Sequence, residues 1–232
     1  HYVRRVIGAA GAELHRAADD TRDQSYFLFA TTREQLDLLR FPLGDLPKTE
    51  TRALAQRFDL PVAAKPDSQD ICFVPSGSYG DLVVKLRPEA SAPGEVVDEA
   101  GRVLGRHDGI IHFTVGQRKG LGIAGEEPLY VLRLDAERRR VIVGPRAALG
   151  RRRIAIRAVN WLAENRDSEM RVSVKLRSAQ PPQAATLSLN EDGSGIALLD
   201  EPVLGVAPGQ ACVVYDGTRV LGGGWIARAA CG

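Results

Sequence analysis

Val172-Ser173-Val174-Lys175-Leu176 places an apolar side chain at every second position, the period of a strand with one face turned inward. The same alternation returns at Ala185, Leu187 and Leu189. It closes with Val213-Val214-Tyr215 and Trp225-Ile226. Short strands recurring from Ile154 onward, with turn residues between them, predict a small antiparallel β-barrel over residues 147–232.

Working upstream, residues 144–153 are rich in Gly, Pro and Arg and read as a linker. Before it, Val96-Val97 and Val103-Leu104 flank Asp98-Glu99-Ala100-Gly101 in hairpin style. The runs at 130–134 and 141–143 do the same around residues 135–140. Ser78 is placed to cap a short helix reaching Leu86. Residues 76–146 are therefore expected to form a small β-rich central domain.

The first third has α/β texture. His1 to Arg5 reads as a short strand, and Thr32-Arg33-Glu34-Gln35 opens a helix with a capping-type start and Leu36 and Leu39 on its inner face. A second helix is expected over residues 48–58, with Ala53, Leu54 and Phe58 on one stripe, ended by Leu60-Pro61. Ile71-Cys72-Phe73-Val74 then reads as a buried strand. Residues 1–75 form the first expected domain.

The whole chain has 232 residues, 44% hydrophobic and 26% charged, values ordinary for a globular protein of two or three domains. Its longest apolar runs fall far short of the ~20 residues needed to span a membrane, so no membrane association is expected. Net charge is +2, which gives no nucleic-acid signature by itself and leaves that argument to local clusters. Three cysteines without a secretory signal fit a reducing cytoplasm better than a disulfide framework. The four histidines, His1, His15, His107 and His112, are too scattered for a zinc site, and no structural metal is expected. The start at His1 reads as the start of a fragment.

Three segments carry candidate chemistry. Asp67-Ser68-Gln69-Asp70-Ile71-Cys72-Phe73 delivers a thiol at the junction of a polar loop and an apolar strand, where reactive groups tend to sit. A buried, inert Cys72 is the competing reading. Asp67 and Asp70 would raise a thiol pKa, so a reactive thiolate there needs a cation such as Lys65. Cys212, inside an apolar strand, is expected to be core, and Cys231 lies in the tail. Thr114-Val115-Gly116-Gln117-Arg118-Lys119-Gly120-Leu121-Gly122-Ile123 brackets an amide and two cations with glycines, a composition suited to phosphate and equally to a solvated turn. It lacks the spacing of a nucleotide P-loop. Asp23 is placed either to cap a helix ahead of Tyr26-Phe27-Leu28 or to touch a ligand.

Six ordered strings together resemble one family, the tRNA-specific 2-thiouridylases. They are His1-Tyr2, Asp23-Gln24-Ser25-Tyr26-Phe27-Leu28, Phe41-Pro42-Leu43-Gly44, the Cys72 string, Gly116-Gln117-Arg118-Lys119-Gly120-Leu121-Gly122, and Leu221-Gly222-Gly223-Gly224. The resemblance implies that residues 1–75 are the remainder of a PP-loop (adenine nucleotide α-hydrolase-like) domain, followed by the central domain and the barrel. It implies ATP-dependent transfer of persulfide sulfur to C2 of the wobble uridine, with ATP accompanied by Mg²⁺ and bound mostly by a segment upstream of His1. A partner cysteine is expected upstream as well. Cys72 matches the sulfur-carrying cysteine. Arg22, Asp23, Gln24, Gln117, Arg118, Lys119, Arg177 and Ser178 match tRNA-binding positions. Ser178 stands where the family often has an aromatic, leaving Arg177 as a phosphate partner. The partners implied are tRNA and a sulfur-donor relay protein or cysteine desulfurase. Were the natural chain to begin at His1, an inert RNA-binding module would be the alternative.

Overall fold

The computed structural model describes residues 1–65, 91–123 and 127–228. Cys72, the strand expected at 71–74 and the helix expected after Ser78 lie outside them. The described parts divide into two compact units. One draws on His1–Lys65, Arg152–Pro202 and the stretch from Ala207; the other lies within Pro66–Arg151 with Val203–Val206.

In the first unit the barrel is closed. Its strands are β7 (Gly150–Trp161), β8 (Met170–Lys175), β9 (Gln183–Leu189), β10 (Gly195–Leu204), β11 (Ala211–Asp216) and β12 (Arg219–Ile226). The order β12-β11-β8-β9-β10-β7 returns to β12 through a β12–β7 pairing, so these six strands leave no open edge. Leu221-Gly222-Gly223-Gly224 sits at the closure. A Cβ on Gly223 would stand 2.8 Å from both the Cys212 carbonyl oxygen and the Phe29 ring, and one on Gly224 would stand 2.9 Å from the Arg157 carbonyl oxygen. The run of glycines lets β12 pass between β7 and β11 while an aromatic ring packs on it.

The expected first strand is present as β1 (Val3–Gly8), and it pairs antiparallel with β2 (Gly11–Arg16). That hairpin extends the barrel sheet, with His15 opposite Arg219. Helix α1 (Arg33–Leu38) starts with a full capping box, Thr32 to the Gln35 backbone and the Gln35 side chain back to the Thr32 backbone. Leu36 is fully buried, but Leu39 follows the helix end and is exposed. Helix α2 (Lys48–Arg57) forms as expected yet buries no residue, and Phe58 is exposed rather than completing an inner stripe. Val3, Leu14, Tyr26, Phe29 and Leu36 share one core with Leu162, Val213, Tyr215 and Val220 of the barrel. Burying a side chain of this size contributes about 1.5–3 kcal/mol, so the N-terminal stretch and the barrel stabilise one another.

The second unit holds a four-stranded sheet, β4-β3-β6-β5, built from β3 (Gly94–Val97), β4 (Val103–His107), β5 (Tyr130–Asp135) and β6 (Arg140–Gly144). Both expected hairpins are there, joined by a parallel β3–β6 pairing. Its core is Val96, Phe113, Leu121, Val131, Val141 and Val143. The two units change over at Arg151/Arg152, inside the linker expected at 144–153, but that stretch is regular structure rather than an irregular connection. Gly144 ends β6, a 3-10 turn covers Arg146–Leu149 with Leu149 buried, and β7 already begins at Gly150. Arginine runs signal exposure, but Arg151 to Arg153 are exposed residues within a strand whose Ile154 and Ile156 point inward.

Candidate functional site

Asp23 lies at the centre of the first unit's polar chemistry. Its side chain is 1% exposed. Oδ1 accepts the backbone N–H groups of Ala17 at 3.2 Å and Ser25 at 3.1 Å; Oδ2 accepts from Arg16 Nε at 3.1 Å and Ser25 Oγ at 3.0 Å. The bond to Ser25 two residues on is an Asx-type turn that leads the chain into the 3-10 turn Ser25–Leu28. The cap position itself is Gln24, whose side chain makes no cap bond. Since the Ser25 hydroxyl proton goes to Asp23, the Tyr215 hydroxyl donates to Ser25 Oγ across 3.1 Å. Burial, with Asp23 nearby, raises the Tyr215 pKa further above its ordinary value.

Lys175 completes this cluster from β8. Its Nζ lies 3.8 Å from Asp23 Oδ2 and its side chain is 6% exposed. Burial lowers its pKa, an effect opposed by Asp23 and reinforced by Arg16. Two turns of chain are thereby bound together: Tyr26 Oη donates to the Ala211 carbonyl at 2.9 Å and lies 3.4 Å from that of Leu176. Gln24 is fixed to the start of β1, accepting the Tyr2 N–H at Oε1 and donating its own N–H to the Tyr2 carbonyl. Residues 22–24 and 177–178, more than 150 positions apart, thus flank one buried ion cluster. Arg22 is exposed beside it, while Arg177 and Ser178 are half-buried. Lys175, Arg16 and Tyr215 were not singled out from sequence, because alternation in 172–176 assigns Lys175 to solvent.

In the second unit, the loop 114–123 is tied down by Gln117. Its Oε1 accepts the Thr114 N–H and its Nε2 donates to the Lys119 carbonyl, both at 2.9 Å. Gly116, Gly120 and Gly122 have φ of +89°, +75° and +68°, the left-handed region that glycine enters without strain. The backbone N–H of Gly116 is engaged by the Val131 carbonyl and that of Gln117 by the Thr114 carbonyl. Two amides that a nucleotide cradle would need are therefore occupied. Arg118 and Lys119 stand exposed at the tip, held there by a loop whose Phe113 and Leu121 enter the core.

Cys212 is fully buried in β11, and burial pushes its thiol up to about 12. Such a thiol is not a nucleophile at neutral pH. Among the described residues no group of three His, Cys, Asp or Glu side chains is placed to hold a metal ion. No helix among them is long and apolar enough to cross a membrane.

Three family models cover the chain in order: tRNA methyl transferase HUP domain at residues 1–76, tRNA methyl transferase PRC-barrel domain at 83–145, and aminomethyltransferase beta-barrel domain at 151–226. The chain thus combines stretches matched by a HUP-domain, a PRC-barrel and a β-barrel model, the last of them the closed barrel described above. The chain is 61% identical to the tRNA-specific 2-thiouridylase MnmA of Rhodospirillum centenum over 237 residues, 99% of this chain and 60% of that protein. It is 58% identical to the protein of the same name from Methylobacterium radiotolerans, covering 98% of this chain and 62% of the relative. For that of Paramagnetospirillum magneticum the values are 59%, 97% and 61%. The chain belongs to the tRNA-specific 2-thiouridylase (MnmA/TrmU) family. It spans about 60% of the length of the curated relatives it matches.

Proposed function

We propose that the whole protein is a tRNA-uridine 2-sulfurtransferase of the cytoplasm, and that this chain supplies its sulfur-carrying cysteine and much of its tRNA-binding surface. The observation that carries the reading is the family match across both units, with the relatives named for 2-thiouridylation of tRNA. Cys72 carries, as a persulfide, the sulfur placed at C2 of the wobble uridine. A thiol can hold a second sulfur atom and hand it to an electrophilic carbon, which a hydroxyl cannot. Its loading falls to a relay protein or cysteine desulfurase.

Binding is divided among exposed and half-buried groups on rigid supports. Arg22, Gln24, Arg177 and Ser178 lie around the Asp23–Lys175 cluster; Arg118 and Lys119 rise from the loop that Gln117 braces. Asp23 itself, with its carboxylate engaged internally, acts by holding Arg22 and Gln24 in place. Phosphate contacts of this kind set affinity and register, and the anticodon loop presents its bases unstacked for chemistry. The loop 114–123 offers no cradle for ATP, since the Gly116 amide is held by the Val131 carbonyl and the Gln117 amide by that of Thr114. ATP with Mg²⁺ belongs to the proposal for the whole protein, as the source of the activation that lets the uridine 2-oxygen leave. The test is 2-thiouridine formation by the whole protein with Cys72 intact and with Cys72→Ser.

A further inference from the structure

An open groove of about 570 Å³ in the second unit is lined by Pro93, Gly94, Glu95, Arg106, Glu137 and Arg138–Arg140. Arg140 pairs with Glu95 at 3.1 Å. Arg106 extends from β4, and Arg138 and Arg139 from the turn between β5 and β6; none of these three guanidiniums has a hydrogen-bond or ion-pair partner among the described residues. Setting aside the Arg140–Glu95 pair, three cations face one remaining carboxylate, Glu137.

The turn bearing two of them is clamped. Arg139 has φ +51°, a left-handed conformation uncommon for a residue with a Cβ. Its carbonyl accepts the Glu95 N–H at 3.1 Å and His107 Nε2–H at 3.2 Å. His107 is buried, and its Nδ1 accepts the Gly109 N–H at 3.1 Å, which leaves the ring proton on Nε2 to point at Arg139. On the near side of the turn, the Arg138 N–H is fixed by Asp135 Oδ1 at 3.0 Å. Neighbouring unpaired guanidiniums repel one another, so holding them close is unfavourable until an anion lies between them. Guanidinium is also the side chain best matched to phosphate oxygens.

We propose that this groove binds the phosphodiester backbone of RNA, with Arg106, Arg138 and Arg139 as its phosphate ligands and His107 as the residue that positions the turn. The groove is open to solvent, so a polyanion can reach it. The choice of RNA among phosphate esters rests on the function proposed above.

The experiment titrates the 232-residue chain with an unmodified tRNA transcript across a salt series, beside the triple variant Arg106→Gln, Arg138→Gln, Arg139→Gln. Each lost phosphate contact lowers the slope of log K against log salt by about 0.7–0.9, so the triple variant should lose roughly 2 from the slope, with affinity near 0.1 M salt down about tenfold or more. Arg171→Gln, which removes a cation paired with Asp200 on the barrel, should leave the slope in place. Equal melting temperatures establish that the variants fold, and Arg138→Glu alone gives a second reading of the same loss. An unchanged slope in both groove variants overturns the groove while leaving the RNA reading intact. A parent chain that binds no tRNA at any salt overturns both. Inorganic phosphate held by the parent and lost in the triple variant, with the tRNA slope unaltered, would mark a small-anion site and overturn the proposal.

Discussion

Lys175 Nζ on β8 stands 3.8 Å from Asp23 Oδ2 in a cluster almost closed to water, tying the N-terminal stretch to the barrel. Arg16 Nε shares the same carboxylate oxygen at 3.1 Å. Removing the carboxylate leaves two buried or half-buried cations facing one another. Asp23→Ala is expected to cost about 3–5 kcal/mol in denaturant unfolding, the scale of a buried ion pair stripped of one partner. A loss under about 1 kcal/mol would mean that the cluster does not hold the two segments together.

The loop tip gives a prediction about affinity alone. Arg118→Ala with Lys119→Ala removes two exposed cations and none of the Gln117 bonds that fix the loop. The slope of log K against log salt for tRNA should fall by roughly 1.4–1.8, with the melting temperature unchanged. If the slope stays as it was, this loop is not part of the RNA surface.

Cys212 makes a prediction in pH. Burial raises its thiol from 9.0 to about 12 in the folded chain. A raised folded value gives stability that is complete below pH 9 and lost as pH climbs from there through about 12. Linkage over three pKa units amounts to at most about 4 kcal/mol. Cys212→Ala should flatten this alkaline decline, measured as unfolding free energy against pH. Thiol reagents should label Cys212 only as the chain unfolds; rapid labelling of native protein at Cys212 would contradict its burial.

The alternation in 172–176 and 185–189, followed by the apolar run 213–215, was enough to read a barrel, although β11 itself departs from a period of two, with Ala211 to Tyr215 all buried. The same rule hid the ion cluster. Lys175 falls on the outward phase between Val174 and Leu176, yet residues 23–26 cover that face, a contact spanning 150 positions that no local pattern encodes. Strand β2 was missed for a related reason: Ala12, Glu13, Leu14, His15 and Arg16 carry one strong apolar residue, and pairing with β1 and β12 makes the strand. The strings at 23–28 and 221–224 were legible as family marks. Their physical roles, a buried carboxylate hub and a glycine-lined barrel closure, needed the fold.

Gly94 tests the clamp under the arginine groove from the backbone side. A Cβ there would collide with the Arg139 carbonyl oxygen and come within 2.8 Å of His107 Nε2. The carbonyl cannot retreat without giving up its bonds from the Glu95 N–H and His107 Nε2. Gly94→Ala is therefore expected to destabilise the chain by about 2 kcal/mol or more, read from thermal or denaturant unfolding. A neutral outcome would show that the turn is looser than its hydrogen bonds imply.

The central claim is that Cys72 carries the sulfur, and its most direct test is 2-thiouridine formed per enzyme by the whole protein with a persulfide donor. Cys72→Ser should abolish thiolation while leaving tRNA binding largely intact, since binding is spread over cations elsewhere and serine cannot form a persulfide. Cys212→Ser is the control: it places a hydroxyl in the core, should cost about 1–3 kcal/mol in stability, and should spare turnover at temperatures where the variant is folded. Thiolation by the Cys72 variant at a rate near that of the parent, or loss of turnover in the folded Cys212 variant instead, would contradict the assignment.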